Sequence, residues 1–172
     1  KAMQNFKEKL NKITTLIFDI DGVFTDNRVL VMENGEVIRN VHSKDGYAVQ
    51  LAVKKGYRLV IISGGNNVAV KNLLTKAGIQ NIFINQQDKL QCYKDFIYEN
   101  NLTGEEVLYM GDDLPDHEVM SRVGIPACPN DSATEIKAIS IYISPKKGGE
   151  GCVRDIIEQV MRVQGTWAIA NW

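Results

Sequence analysis

Asp19 lies at the end of a β-branched, apolar run, Ile13–Ile20, and Asp21 and Thr25 stand just beyond it. Ser63 closes a second such run, Tyr57–Ile62, and Asp112, Asp113 and Asp116 follow another, Glu106–Met110. Lys89 enters at the start of a helical stretch after the short run Asn81–Ile84. Several carboxylates at short range cannot all ionise without a cation, and hard oxygen ligands favour Mg²⁺. A bound Mg²⁺ would orient and neutralise a phosphate, whose remaining oxygens need donors such as Ser63 and Lys89. Taken singly, each residue has a plainer reading. An Asp after a strand often caps the next helix, Ser63 before Gly64-Gly65 suits a turn, and a surface lysine is usually just solvated. Asp113 and Asp116 could simply favour the positive end of the following helix, whereas Lys89 at a helix start opposes the macrodipole. Taken jointly and in this order, coincidence is a poor account. His42 and His117 are the only histidines, with nothing to bring them together or beside a cysteine. Any chemistry must therefore come from carboxylates.

These residues need a scaffold that carries strand ends to one place. Strand-like and helix-like patterns alternate along the chain, the mark of a parallel sheet with helices on its faces. After the first strand, Arg28–Met32 and Glu36–Val41 flank Asn34-Gly35, which suits a type I′ hairpin turn. Helices are expected over Gly46–Lys55 (with Gly56 ending it), Asn66–Ala77 and Asp88–Asn100, the last with Asp88 as N-cap. Shorter units follow: a helix over Asp116–Arg122, a strand at Ile125–Ala127, a helix over Ala133–Ala138 and a strand at Ile139–Ile143. Cys152–Val163 reads as the last helix, with a tail to Trp172. In open α/β sheets ligands bind beyond the carboxyl ends of the strands, where these polar residues fall. The expectation is one doubly wound, Rossmann-like α/β domain over residues 1–172, with a hairpin flap after the first strand and residues 164–172 as tail.

The chain has 172 residues, 44% hydrophobic and 24% charged, enough apolar material for one core. Lys+Arg 20 against Asp+Glu 21 leaves no excess of positive charge to hold nucleic acid. No apolar stretch approaches the ~18 residues of a membrane span, and no signal peptide is read before the first strand. The start at Lys1 is read as a trimmed or engineered end. Cys92, Cys128 and Cys152 are odd in number and widely spaced, which argues against a disulfide framework or a zinc site and for a reducing cytoplasm.

The segment Asp19-Ile20-Asp21-Gly22-Val23-Phe24-Thr25 resembles the DxDGVxT first motif of the haloacid dehalogenase-like phosphatases. Ser63 after Val60-Ile61-Ile62 resembles their second motif, Lys89 the third, and Gly111-Asp112-Asp113-Leu114-Pro115-Asp116 the GDDxxD fourth. Ser43-Lys44-Asp45-Gly46-Tyr47-Ala48 and Gly148-Gly149-Glu150-Gly151-Cys152-Val153-Arg154-Asp155 narrow the likeness to the 3-deoxy-D-manno-octulosonate 8-phosphate phosphatases of bacterial lipopolysaccharide sugar synthesis. The resemblance implies that Asp19 is the nucleophile, Asp21 the acid and base, and Ser63 and Lys89 the holders of phosphoryl oxygens. It implies Mg²⁺ on Asp19, Asp112 and the backbone of Asp21, with Asp113 behind the metal and Asp116 positioning Lys89. Gly22, Thr25, Gly64 and Arg154 would touch substrate.

Superfamily cap domains sit between the first and second motifs or the second and third. Only a hairpin and a helix lie between Thr25 and Tyr57, and only 26 positions separate Ser63 from Lys89, so no cap fits. An uncovered site is open to water, which phosphoryl transfer is better without. The resemblance implies a homotetramer whose subunits cover each other's sites, with the hairpin at the interface and Arg154 reaching a substrate carboxylate. The plainer reading of Arg154 is an i,i+4 partner of Glu158, worth ~0.2–0.5 kcal/mol. Some relatives carry arginines after the second motif where this chain has Asn66 and Asn67, and neutral amides bind a carboxylated sugar less strongly. A nonulosonate 9-phosphate is thus a second substrate reading. A signalling receiver domain uses similar groups, but its adjacent acids follow the first strand, not the fourth. A non-catalytic binding relative would not need all four motifs intact. Trp167 and Trp172 are either interface or exposed end.

Overall fold

A computed structural model describes residues 2–168. Six strands form one parallel sheet in the order β5-β4-β1-β6-β7-β8: β1 (Thr15–Phe18), β4 (Arg58–Ile62), β5 (Asn81–Phe83), β6 (Val107–Met110), β7 (Ile125–Cys128) and β8 (Tyr142–Ile143). The chain winds outward from β1 through β4 to β5, then returns to β6 on the other side of β1. That reversal is a doubly wound topology, with its switch point between β1 and its neighbours. Residues Leu16, Phe18, Leu59, Ile61, Leu108 and Met110 turn to one face and Ile17, Val60, Ile62, Val107 and Tyr109 to the other. This period of two, with both sides apolar, is what a sheet covered on both faces requires.

The first face is covered by α1 (Ala2–Asn11), α2 (Ser43–Lys54), α3 (Val68–Lys76) and α7 (Cys152–Val163), through residues such as Leu10, Leu51, Leu74 and Ile156. The second is covered by α4 (Lys89–Glu99), α5 (His117–Met120) and α6 (Thr134–Ile139), through Tyr93, Phe96, Met120 and Ile136. Asp45 of α2 is buried and its Oδ1 accepts the Arg154 backbone N–H at 2.9 Å, so one helix caps the start of the other. The three cysteines are free thiols.

Between β1 and α2 the chain forms only a two-stranded antiparallel flap, β2 (Leu30–Val31) with β3 (Val37–Ile38). Its turn differs from the expected type I′. Gly35 alone takes positive φ, at 88°, its N–H bonds the Met32 carbonyl at 2.9 Å, and the Asn34 carboxamide oxygen accepts the Glu36 N–H at 3.0 Å. A turn through Glu33 and Asn34 followed by a left-handed glycine supplies the twist without a second positive φ. Helix α2 starts earlier than expected, because His42 accepts the Lys44 N–H and serves as N-cap. Ile139 belongs to α6 and not to the last strand, and α1 precedes β1. Trp167 lies against Arg154 and Arg162, whereas Trp172 is outside the described residues.

Candidate active site

Register brings the acids together. Phe18 of β1 is level with Ile61 of β4 and Met110 of β6, so the chain leaves all three strands at nearly the same height. Asp19, Ser63 and Asp112 are delivered there, and α4 starts beside them with Lys89. A cavity of about 210 Å³ opens among Asp19, Asp21, Ser63, Gly64, Lys89 and Asp112.

Carboxylate oxygens of Asp19, Asp112 and Asp116 all lie within 4.8 Å of one another. Asp19 and Asp112 are each 8% exposed, Lys89 7% and Asp116 0%. Lys89 Nζ sits between two of them, 3.0 Å from Asp19 Oδ2 and 2.8 Å from Asp116 Oδ1. Asp116 is already saturated. Its Oδ1 also accepts the Tyr109 hydroxyl at 2.7 Å, and its Oδ2 accepts the Asp112 N–H at 3.1 Å. It therefore anchors Lys89 and the 111–113 turn, and it does not cap α5 as the plainer reading allowed.

Three buried carboxylates facing one ammonium repel each other. Burial, aided by the Asp116 charge and opposed by Lys89, pushes the Asp19 carboxyl up to about 8. Burial pushes Asp112 up to about 7 against the stabilising Asn27 hydrogen bond. Burial pulls Lys89 down, yet Asp19 and Asp116 together hold its ammonium above the ordinary lysine value. Such a cluster is short of positive charge, and a divalent cation with hard oxygen preference makes up the deficit. With Asp116 committed to Lys89 and Tyr109, the donors left for a metal are Asp19 and Asp112.

Asp21 is held on three sides. Its Oδ1 accepts the Thr25 hydroxyl at 3.2 Å and Arg39 Nε at 2.9 Å, and its Oδ2 accepts Asn67 Nδ2 at 3.0 Å. Asn67, buried, also accepts the Ser63 hydroxyl at 2.9 Å, so one amide ties the first loop to the second. The Asp21 side chain is accordingly not part of the three-carboxylate cluster. Thr25 is fully buried, its oxygen also accepts the Gly22 N–H, and it does not line the cavity. Gly22 has φ +85°, and a Cβ there would strike the Asp112 carboxylate. Its part is close backbone approach, which only glycine permits.

Asp113 is exposed at the cavity mouth, accepting the Leu114 N–H at 2.8 Å. Gly64 is exposed and lines the same cavity. Arg154 is not brought to the cluster of Asp19, Asp112 and Asp116. It pairs with Glu158 at 2.8 Å, the i,i+4 alternative, and lies over the Tyr47 and Trp167 rings. Sequence reasoning missed Arg39, Asn27, Asn67 as a bridge, and Tyr109. Only Asn67, four residues after Ser63 and just ahead of α3, carried a local signal.

No family model matches the chain. It is 30% identical over 157 residues to the 3-deoxy-D-manno-octulosonate 8-phosphate phosphatase KdsC of Escherichia coli K12, covering 91% of this chain and 84% of that protein. The crystal structure of a probable YrbI family phosphatase from Pseudomonas syringae superposes with a TM-score of 0.92 at 32% identity, over 95% of this chain and 93% of that one. The 3-deoxy-D-manno-octulosonate 8-phosphate phosphatase from Moraxella catarrhalis, solved with magnesium, phosphate and KDO, gives 0.92 at 27% identity over 96% and 95%. With the acids, hydroxyl and lysine of the four motifs gathered at the strand ends of a capless sheet, the chain belongs to the KdsC-like phosphatases of the haloacid dehalogenase-like superfamily.

Proposed function

We propose that this chain is a Mg²⁺-dependent phosphatase that hydrolyses 3-deoxy-D-manno-octulosonate 8-phosphate through an aspartyl-phosphate on Asp19. The observation that carries the chemistry is Lys89 clamped between Asp19 and Asp116 while Asp19 and Asp112 face the cavity, one ammonium among three carboxylates. The named relatives and the Mg²⁺ and KDO of the Moraxella structure support the substrate. Mg²⁺ bound by Asp19, Asp112 and the Asp21 backbone carbonyl would neutralise and orient the phosphate.

An Asp19 oxygen attacks phosphorus, the bond to the sugar oxygen breaks, and that oxygen takes a proton from Asp21. Asp21 then takes a proton from the water that attacks phosphorus, which frees inorganic phosphate and regenerates Asp19. Lys89 and Ser63, with the backbone at Gly64, hold the phosphoryl oxygens; Asp116 and Tyr109 fix Lys89. Asp113 shapes the mouth.

A phosphate-release screen with Mg²⁺ over octulosonate, nonulosonate and hexose phosphates tests the substrate. Octulosonate 8-phosphate is expected to give the highest kcat/KM, and equal values on all three classes would defeat an ulosonate specificity. The absence of arginine at Asn66 and Asn67 favours the second reading, a nonulosonate 9-phosphate, which the same screen reveals by its order of rates.

The flap exposes Val29, Leu30, Val31, Met32, Val37 and Ile38, a run of apolar side chains of the kind that marks an interface. A homotetramer with flaps at the interface would bury it and cover the capless site. Sedimentation at a single tetramer mass is the expected result, and a monomer at micromolar concentration would remove this assembly. Among the described residues no helix is long and apolar enough to cross a membrane, and the free thiols favour a cytoplasmic setting.

A further inference from the structure

The ion pair between flap and acid has a consequence for substrate choice. Arg39 follows β3 and reaches Asp21 with Nε, one donor of the five on a guanidinium. Its side chain is 20% exposed, and it lines a groove of about 340 Å³ with Val37, Ile38, Val41, Asn66 and Asn67. Groove and phosphate cavity meet at Asp21, since Arg39 and Asn67 both bond to it. Lys89, the one cation lining the phosphate cavity among the described residues, is committed to Asp19 and Asp116. Arg154 is committed to Glu158.

A ligand with phosphate at Asp19 and a carbon chain in the groove would bring an anionic far end to Arg39, whose planar fork matches a carboxylate. Val37, Ile38 and Val41 offer the carbon chain apolar contact along the same groove. We infer that Arg39 is the specificity residue of this phosphatase, taking the carboxylate of a phosphorylated sugar acid and, in turning to it, releasing the Asp21 side chain to reach the leaving oxygen. A phosphate ester without that carboxylate leaves the Arg39–Asp21 pair closed. The inference rests on the phosphatase reading and adds to it the group that reads the far end of the substrate.

The test compares kcat and KM of the wild type, Arg39→Ala, Arg39→Lys and Arg154→Ala with Mg²⁺, on 3-deoxy-D-manno-octulosonate 8-phosphate and on glucose 6-phosphate. The readout is the ratio of the two kcat/KM values. In Arg39→Ala that ratio falls by ~30-fold or more, mostly through KM, as loss of a forked, hydrogen-bonded charge pair requires. Arg39→Lys keeps the charge without the fork and recovers part of it, and it carries the test alone should the alanine variant not fold. Calorimetry with free 3-deoxy-D-manno-octulosonate reports the same loss without turnover. An unchanged ratio in both Arg39 variants, or a collapse in Arg154→Ala instead, overturns the assignment. A wild type that shows no preference for the carboxylated ester defeats this inference and the ulosonate specificity while leaving the phosphatase chemistry in place. One that releases phosphate from no ester defeats the phosphatase reading with it.

Discussion

Asp19→Asn turns over no phosphate ester, with a fall in kcat of ~10⁴-fold or more, and stays folded. An amide oxygen is too weak a nucleophile to displace an alkoxide from phosphorus. The Ile20 N–H bonds Oδ1 at 2.7 Å and Lys89 bonds Oδ2 at 3.0 Å, so the single amide oxygen keeps one of these donors, and Lys89 remains held by Asp116. The fold does not depend on the charge, because burial already disfavours the ionised form. Relief of repulsion among Asp19, Asp112 and Asp116 predicts that the metal-free variant melts no lower than the metal-free wild type at pH 7.5. Phosphate release and a thermal melt, on the same sample, check both halves. Activity above about 1% of wild type would remove Asp19 as nucleophile, since loss of the attacking group leaves only residual rates of that order or below. A melt lowered by many degrees would show instead that the carboxylate has a structural part.

What could be read from sequence was what is local to a strand and its end. Buried strands of a parallel sheet are unbroken apolar runs, so Ile17, Val60 and Tyr109 marked themselves, and the acids just after them inherited a position. Asp88 capping α4, and hence Lys89 entering the site, followed from one side chain and its neighbours. Arg39 could not be found this way. It meets Asp21 across 18 positions only because the flap folds back, and nothing in Glu36–Val41 distinguishes it from a solvated arginine on a strand. Asn27 at φ 67°, donating to Asp112 at 2.9 Å, depends on a contact across 85 positions. Tyr109 carried a core signal that was correct and incomplete, since its ring packs while its hydroxyl holds Asp116. Helix α1 was invisible because its apolar residues are sparse, and Leu10 is buried in a core cluster on a helix that packs against α7. The hairpin turn was misjudged because Asn-Gly also serves a turn with one left-handed residue.

Mg²⁺ raises the melting midpoint, and the rise grows with pH. In the unfolded chain these carboxyls titrate near 3.8, whereas in the folded, metal-free protein Asp19 is pushed up to about 8 and Asp112 to about 7. Between pH 4 and 8 the native state therefore holds protons that the unfolded state has released, and stability falls as pH rises. Mg²⁺ reverses this, because its ligands must be ionised to bind and ionisation is nearly complete only above those values. At a hundred to a thousand times its Kd, the ion adds ~3–4 kcal/mol, or about 5–15 °C for a chain of this size. Asp45 complicates the acid side. Burial pushes it up to about 6, so it contributes a fall of the same sign below pH 6 and is blind to Mg²⁺. The window that isolates the metal site is therefore pH 6 to 8. There the EDTA-treated protein should lose stability steadily and the Mg²⁺-loaded protein should not. Asp45→Asn should flatten only the acid limb. Parallel curves with and without Mg²⁺ from pH 6 to 8 would mean that Asp19 and Asp112 do not share an ion, and the reading of this site as a metal-assisted phosphatase would go with them.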